Sequence, residues 1–168
     1  LGVRLPAAIF GILGIVAFYL LVLEITKWKK LAAISAFVLG FSPWHIQYSR
    51  AGFEVTLMLL LLILGICFFL KSFAKPKFLL LSGISFGLTL WVYSTAKLFT
   101  PFLILFLLFI WRKNVLQISK KTLLVCVAAF LLVSFPIGYD TVFGGGAQRF
   151  SYISIFTDPI TEPEIGTA

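Results

Sequence analysis

Arg50 and Glu54 stand four residues apart in the stretch Ser42-Pro43-Trp44-His45-Ile46-Gln47-Tyr48-Ser49-Arg50-Ala51-Gly52-Phe53-Glu54, and an unbroken apolar run follows. On a helix, residues four apart share a face. A carboxylate at the mouth of an apolar helix is costly unless it is paired or lines a wet cavity. Two readings are open. In one, an Arg50–Glu54 ion pair closes the end of a helix. In the other, Arg50 meets a phosphate through charge-assisted hydrogen bonds, with Glu54 orienting it or touching a polar substrate.

Lys97 is the second notable group. It lies in Tyr93-Ser94-Thr95-Ala96-Lys97-Leu98-Phe99-Thr100-Pro101, between two apolar runs. It is either a hairpin-tip lysine reaching back to water or a cation beside an anionic headgroup. Arg4 faces the same choice.

Other chemistry is excluded or silent. His45 is the single histidine, so a histidine-based metal cluster is impossible. Cys67 and Cys126 sit inside apolar runs and read as small core residues. Gly144-Gly145-Gly146 lacks the Lys-Ser/Thr that a phosphate-cradling P-loop needs, and reads as a turn. Asp140, Asp158, Glu162 and Glu164 read as solvated tail acids with no catalytic role. No catalytic residue, metal ligand or cofactor site is assigned.

The elements that must position these groups are six apolar segments, at about 5–25, 31–41, 51–70, 78–95, 98–111 and 122–138. Pro43 should end or kink the second, because it lacks an N–H and crowds the preceding turn. The second and fifth are short. If all six cross, the loops at 26–30, 71–77 and 112–121 share one side. They carry Lys27, Lys29, Lys30, Lys71, Lys75, Lys77, Arg112, Lys113, Lys120 and Lys121. Only Arg4, Arg50, Lys97 and Arg149 lie on the other. Excess Lys and Arg marks the cytoplasmic side, so the 42–50 loop, Lys97 and the tail are expected on the extracytoplasmic face. The net charge of +8 then reports topology. It does not report nucleic-acid binding, which wants a basic face on a soluble domain. Trp28, Trp44 and Trp111 lie at segment ends, where interfacial aromatics belong.

Composition agrees. The chain is 61% hydrophobic and 12% charged, with 19 phenylalanines, and its mean hydropathy is +1.09. Soluble domains keep roughly a quarter of their residues charged. The expected fold is an all-α polytopic membrane helix bundle over residues 1–138. Residues 139–168, rich in Gly, Pro and polar groups, are expected to form an extracytoplasmic loop or the start of a following region. With no initiator Met, the chain reads as a fragment.

Three stretches carry a family resemblance: Arg4-Leu5-Pro6-Ala7-Ala8 with Gly11 and Tyr19-Leu20; Ser42-Pro43 with Tyr48-Ser49-Arg50 and Glu54; and Tyr93, Lys97 and Pro101. In order and placement, over about residues 1–138, they resemble dolichyl-phosphate-mannose–protein mannosyltransferases and the related aminoarabinose transferases of lipid A. The resemblance implies the membrane-embedded glycosyltransferase fold called GT-C. It also implies sugar transfer from a polyprenyl-phosphate donor at the extracytoplasmic face. In that family the catalytic acid lies in the first extracytoplasmic loop. The chain begins after the position of that loop, so the base is expected outside it and Glu54 is not promoted to the role. Arg4, Arg50 and Lys97 match cationic positions near the donor phosphate, with His45, Glu54 and Tyr93 expected at the cavity edge.

The expected protein is therefore a glycosyltransferase fragment of a prokaryotic plasma membrane, acting in cell-envelope or protein glycosylation. Its partners would be a polyprenyl-phosphate-sugar donor, a protein, lipid or glycan acceptor, and membrane lipids. Developing charge on the departing lipid phosphate would be met by cations, and a carboxylate would deprotonate the acceptor hydroxyl. A flippase-like transporter of a lipid-linked substrate and a non-catalytic scaffold subunit are the alternatives. The lack of an internal repeat weighs against an inverted-repeat transporter.

Overall fold

The structure is a computed structural model and describes residues 4–143. Every regular element among the described residues is an α-helix. They run α1 (Arg4–Thr26), α2 (Lys29–Gly40), α3 (Pro43–Ala51), α4 (Val55–Lys71), α5 (Phe78–Val92), α6 (Ala96–Ile110), α7 (Arg112–Val115) and α8 (Lys120–Phe143). Of the expected loop at 139–168, residues 139–143 with Asp140 instead continue α8, because its hydrogen-bonded ladder runs on past Gly138. The remainder, with Gly144–Gly146, Arg149, Asp158, Glu162 and Glu164, lies outside the described residues.

Each apolar run becomes helix because backbone groups in lipid must bond within their own segment. Among the described residues, two helices, α1 and residues 120–140 of α8, are long and apolar enough to cross a membrane alone. Helices α5 and α6 have 15 residues each. At 1.5 Å per residue that is about 22 Å, shorter than a hydrocarbon core of about 30 Å.

The expected second segment is α2, and the expected 42–50 loop is corrected: it forms a helix of its own, α3. α2 stops after 12 residues at Gly40. Pro43 then opens α3 at its first position, where a missing N–H costs nothing. The expected third segment starts at Val55, not Ala51, because Gly52 turns the chain with φ 82° and ψ 25°. That left-handed conformation is cheap only for glycine. It bends α3 against α4 by 119°. The shared helical face expected for Arg50 and Glu54 is thereby corrected: they flank a sharp corner on two different helices.

The helices group into two compact units, 1–133 and 134–168. Of the second, residues 134–143 are described and form the end of α8. Inside the first unit, two apolar clusters hold the bundle. Ala17 and Leu21 of α1 meet Leu60, Ile63 and Cys67 of α4. Leu62 and Phe69 of α4 meet Leu79 and Phe86 of α5 and Leu107 of α6.

α5 is the centre of the second cluster. A Cβ on Gly65 of α4 would stand 2.7 Å from the Phe86 ring, so the helices touch there. Ser82 Oγ donates to the Gly65 carbonyl at 2.8 Å. On another face of α5, a Cβ on Gly83 would meet the Cys126 carbonyl oxygen of α8 at 3.0 Å. Cys126 Sγ donates to the Leu79 carbonyl at 3.1 Å. Trp91 Nε1 donates to the Val133 carbonyl at 2.8 Å. Between α5 and α6, the Thr89 and Thr100 hydroxyls, both fully buried, share a 2.8 Å hydrogen bond.

The outer surface is apolar. α6 exposes Leu98, Phe99, Phe102, Phe106 and Phe109, and α8 exposes Leu124, Leu131 and Leu132. Contiguous apolar faces of this kind are unstable in water and suit lipid. The chain is an integral membrane protein.

Candidate functional site: a cavity where three helix ends meet

The start of α1, the α3–α4 corner and the end of α5 come together around a cavity of about 350 Å³. Pro6, Ala7 and Phe10 give the α1 wall. Gly52, Phe53, Glu54 and Leu57 give the corner wall, and Trp91 and Val92 close it from α5. The walls are apolar with one carboxylate, the usual make-up of a site that holds an apolar body by a few fixed polar contacts.

Glu54 stands at the N-terminal boundary of α4, where its carbonyl accepts from Met58 N–H at 3.1 Å. The positive end of a helix favours a carboxylate there. Glu54 is solvent-exposed. No Arg50–Glu54 ion pair forms; among the described residues the salt bridge present is Lys27–Glu24 at 2.6 Å, on α1 and its following loop. The reading in which that pair closes a helix end is corrected, again because of the Gly52 corner.

The three cations lie close in sequence to the lining without belonging to it. Arg4, the first residue of α1, stands two positions before Pro6 and is exposed. Arg50 is exposed in the last turn of α3, two residues before Gly52. A cation suits that end of a helix. Lys97 is half-buried in the first turn of α6, where a helix dipole disfavours positive charge. Tyr93, exposed, follows Val92 at the cap of α5.

His45 is placed differently from the expected edge. It is 3% exposed, and its Nε2–H donates to the Gly11 carbonyl of α1 at 3.2 Å. A Cβ on Gly11 would stand 2.7 Å from Ser49 Cβ, so α3 lies directly on the α1 backbone. The outer side of α3 carries a ring series, Trp44 to Tyr48 at 4.9 Å and Tyr48 to Phe53 at 5.2 Å between centroids. That series runs from α3 into the cavity wall.

Sequence reasoning missed Phe53, Leu57, Trp91 and Val92 as lining, and nothing local marks them. The α1–α3 contact had a signal. Ala7, Gly11, Gly14 and Ala17 form a small-residue stripe along α1, the pattern that lets membrane helices approach closely. Among the described residues, no three His, Cys, Asp or Glu side chains gather as a metal site would require.

The family model for dolichyl-phosphate-mannose-protein mannosyltransferase matches residues 1–139. The chain belongs to this family. The match contains the whole cavity and the three cations close to its lining in sequence. No curated protein and no solved structure matches the chain. Members of the mannosyltransferase family are membrane glycosyltransferases that use polyprenyl-phosphate sugar donors and protein acceptors in general. The mannosyltransferase-like helix bundle, recognised from three short motifs, is the architecture found.

Proposed function

We propose that this chain forms the donor-binding part of an integral-membrane glycosyltransferase. The enzyme takes a sugar from a polyprenyl-phosphate-linked donor and passes it to an acceptor at the extracytoplasmic face. The observation that carries the reading is the cavity at the meeting of three helix ends, within the region matched by the family.

The chemistry follows from its surroundings. A polyprenyl phosphate has an apolar tail and an anionic head. The tail suits Pro6, Phe10, Phe53, Leu57 and Trp91; the head needs cations at the rim. Arg4, Arg50 and Lys97 are the candidates, with Glu54 in the wall and Tyr93 next to Val92. Lys97 stands where a helix dipole opposes it, which favours a role other than helix stability. As the sugar–phosphate bond breaks, negative charge grows on the phosphate, and cations fixed there lower the barrier.

In the full-length enzyme, Arg50→Ala should lower transfer per folded molecule about ten- to a hundredfold, the worth of a charge-assisted contact. Arg50→Lys should recover part, because an ammonium lacks the bidentate fork. Unchanged normalised turnover in both Arg50→Ala and Lys97→Ala would overturn the phosphate site.

The face is tested separately. In a background lacking Cys67 and Cys126, a cysteine at exposed Gln47 should react with an impermeant thiol reagent on intact cells, and one at exposed Ala74 should not. Ser72 in the same loop is fully buried and unsuited to labelling. The reverse pattern would invert the orientation.

A further inference from the structure

We propose that His45 is a positioning residue: its hydrogen bond to the Gly11 carbonyl fixes the short helix α3 on α1 and so sets the shape of the donor cavity. This rests on the functional reading above.

α3 has nine residues, too few to hold a helix in place without tertiary contacts. Trp44, Ile46, Gln47 and Arg50 are exposed, and His45 is its buried residue. One side chain therefore supplies the main inward anchor. The bond it makes is unusual. Gly11 lies inside α1, where its carbonyl belongs to the helical ladder, and His45 uses the remaining acceptor site of that oxygen. Nε2 must carry the proton, because a carbonyl only accepts. Gly11 has no side chain to hold α3 off, and Gly14 leaves room for the ring, its added Cβ falling 3.8 Å from Cε1.

The two ends of this bond lie behind two different walls of the cavity, next in the chain to residues that line it. Gly11 adjoins Phe10 in α1, and Ala7 lies one turn away. His45 lies on the helix whose end leads through Gly52 to Phe53 and Glu54. Sliding α3 along α1 would carry Arg50, Phe53 and Glu54 with it. No other described hydrogen bond links α3 to α1, since the Ser49 hydroxyl donates within α3 to the Ile46 carbonyl. A displacement of about 1 Å at a reacting site can cost about a hundredfold in rate.

The experiment uses the full-length protein in nanodiscs with Cys67 and Cys126 replaced. Spin labels go on single cysteines at Ile9 and Gln47, both exposed. Transfer is measured in parallel with a short polyprenyl-phosphate-sugar donor. His45→Ala should broaden the label-to-label distance distribution and lower kcat/KM per folded molecule about tenfold or more. His45→Gln, whose amide can donate to the same oxygen, should keep a narrow distribution and most of the activity. Gly11→Ala, whose added Cβ would press on Ser49 Cβ at 2.7 Å and only reach ordinary contact with the imidazole Nε2 at 3.7 Å, should push α3 off α1 and mimic His45→Ala. Gly14→Ala should change neither readout.

A wild-type distance distribution with unchanged kcat/KM in His45→Ala would overturn the proposal. Equal losses in His45→Gln and His45→Ala would overturn its hydrogen-bond basis. No transfer by the wild-type enzyme would defeat the functional reading instead, and the distance measurement would still decide whether His45 holds α3.

Discussion

Glycine brings helices into contact in two regions of this bundle, with opposite consequences. Around α5, Gly65 of α4 admits the Phe86 ring, and Gly83 and Gly87 of α5 admit the Cys126 thiol and the Val133 side chain of α8. That seam is closed, and its few polar atoms bond to one another or to carbonyls. Along the start of α1, Gly11 and Gly14 admit an imidazole and a hydroxyl side chain. That seam is polar, carries a nine-residue helix, and opens beside a cavity. The same residue type thus builds a closed core where its neighbours are apolar, and the flank of a cavity where they are polar and the neighbouring helix is short.

Gly83→Val should separate the two regions most strongly. Its Cβ would press on a carbonyl oxygen of α8, which cannot rotate away, so overpacking should cost about 1–3 kcal/mol. The expected result is a lower unfolding midpoint in detergent with turnover per folded molecule kept. A fall in normalised turnover at full stability would break the assignment of this seam to structure alone.

Thr89→Val should have a smaller effect. It removes the buried hydroxyl pair with Thr100 and leaves that oxygen to find another partner. Hydrogen bonds between membrane helices average about 0.6 kcal/mol, so the midpoint should drop slightly. A loss as large as that of Gly83→Val would mean that the α5–α6 contact depends on polar bonding more than on packing.

Glu54→Gln should have almost no effect on stability, because the group is exposed and without an ion pair. An exposed carboxylate at a helix N-terminus contributes about 0.3–1 kcal/mol at most. If normalised turnover falls while the midpoint holds, Glu54 belongs to the site and the cavity seam is functional. If both hold, the cavity works through its apolar walls and cations alone.

Much of the fold was legible because lipid imposes a simple rule. Runs such as 5–25 and 122–138 must be helical wherever they sit, and both are. Pro43 was legible too, since proline acts through its own ring and missing N–H. Arg50 and Glu54 were misjudged. Spacing of four implies a shared face only if the helix continues, and Gly52 ends it. Whether a lone glycine ends a helix depends on whether the next segment has somewhere better to pack. Here α4 gains the Ala17–Leu21 face of α1 by turning the corner.

The sequence by itself determined an all-helical membrane protein and the cluster of polar residues from Ser42 to Glu54. These follow from properties that each segment carries alone: apolarity, length and charge. Only the tertiary structure decided that His45 faces inward to Gly11, that Arg50 and Glu54 part at a corner, and that Trp91 closes the cavity. Those outcomes depend on which helix lies against which. That choice is made by close approach at glycines and by ring packing between residues far apart in the chain; a small-residue stripe such as that of α1 marks a face for close approach but does not name the helix that takes it.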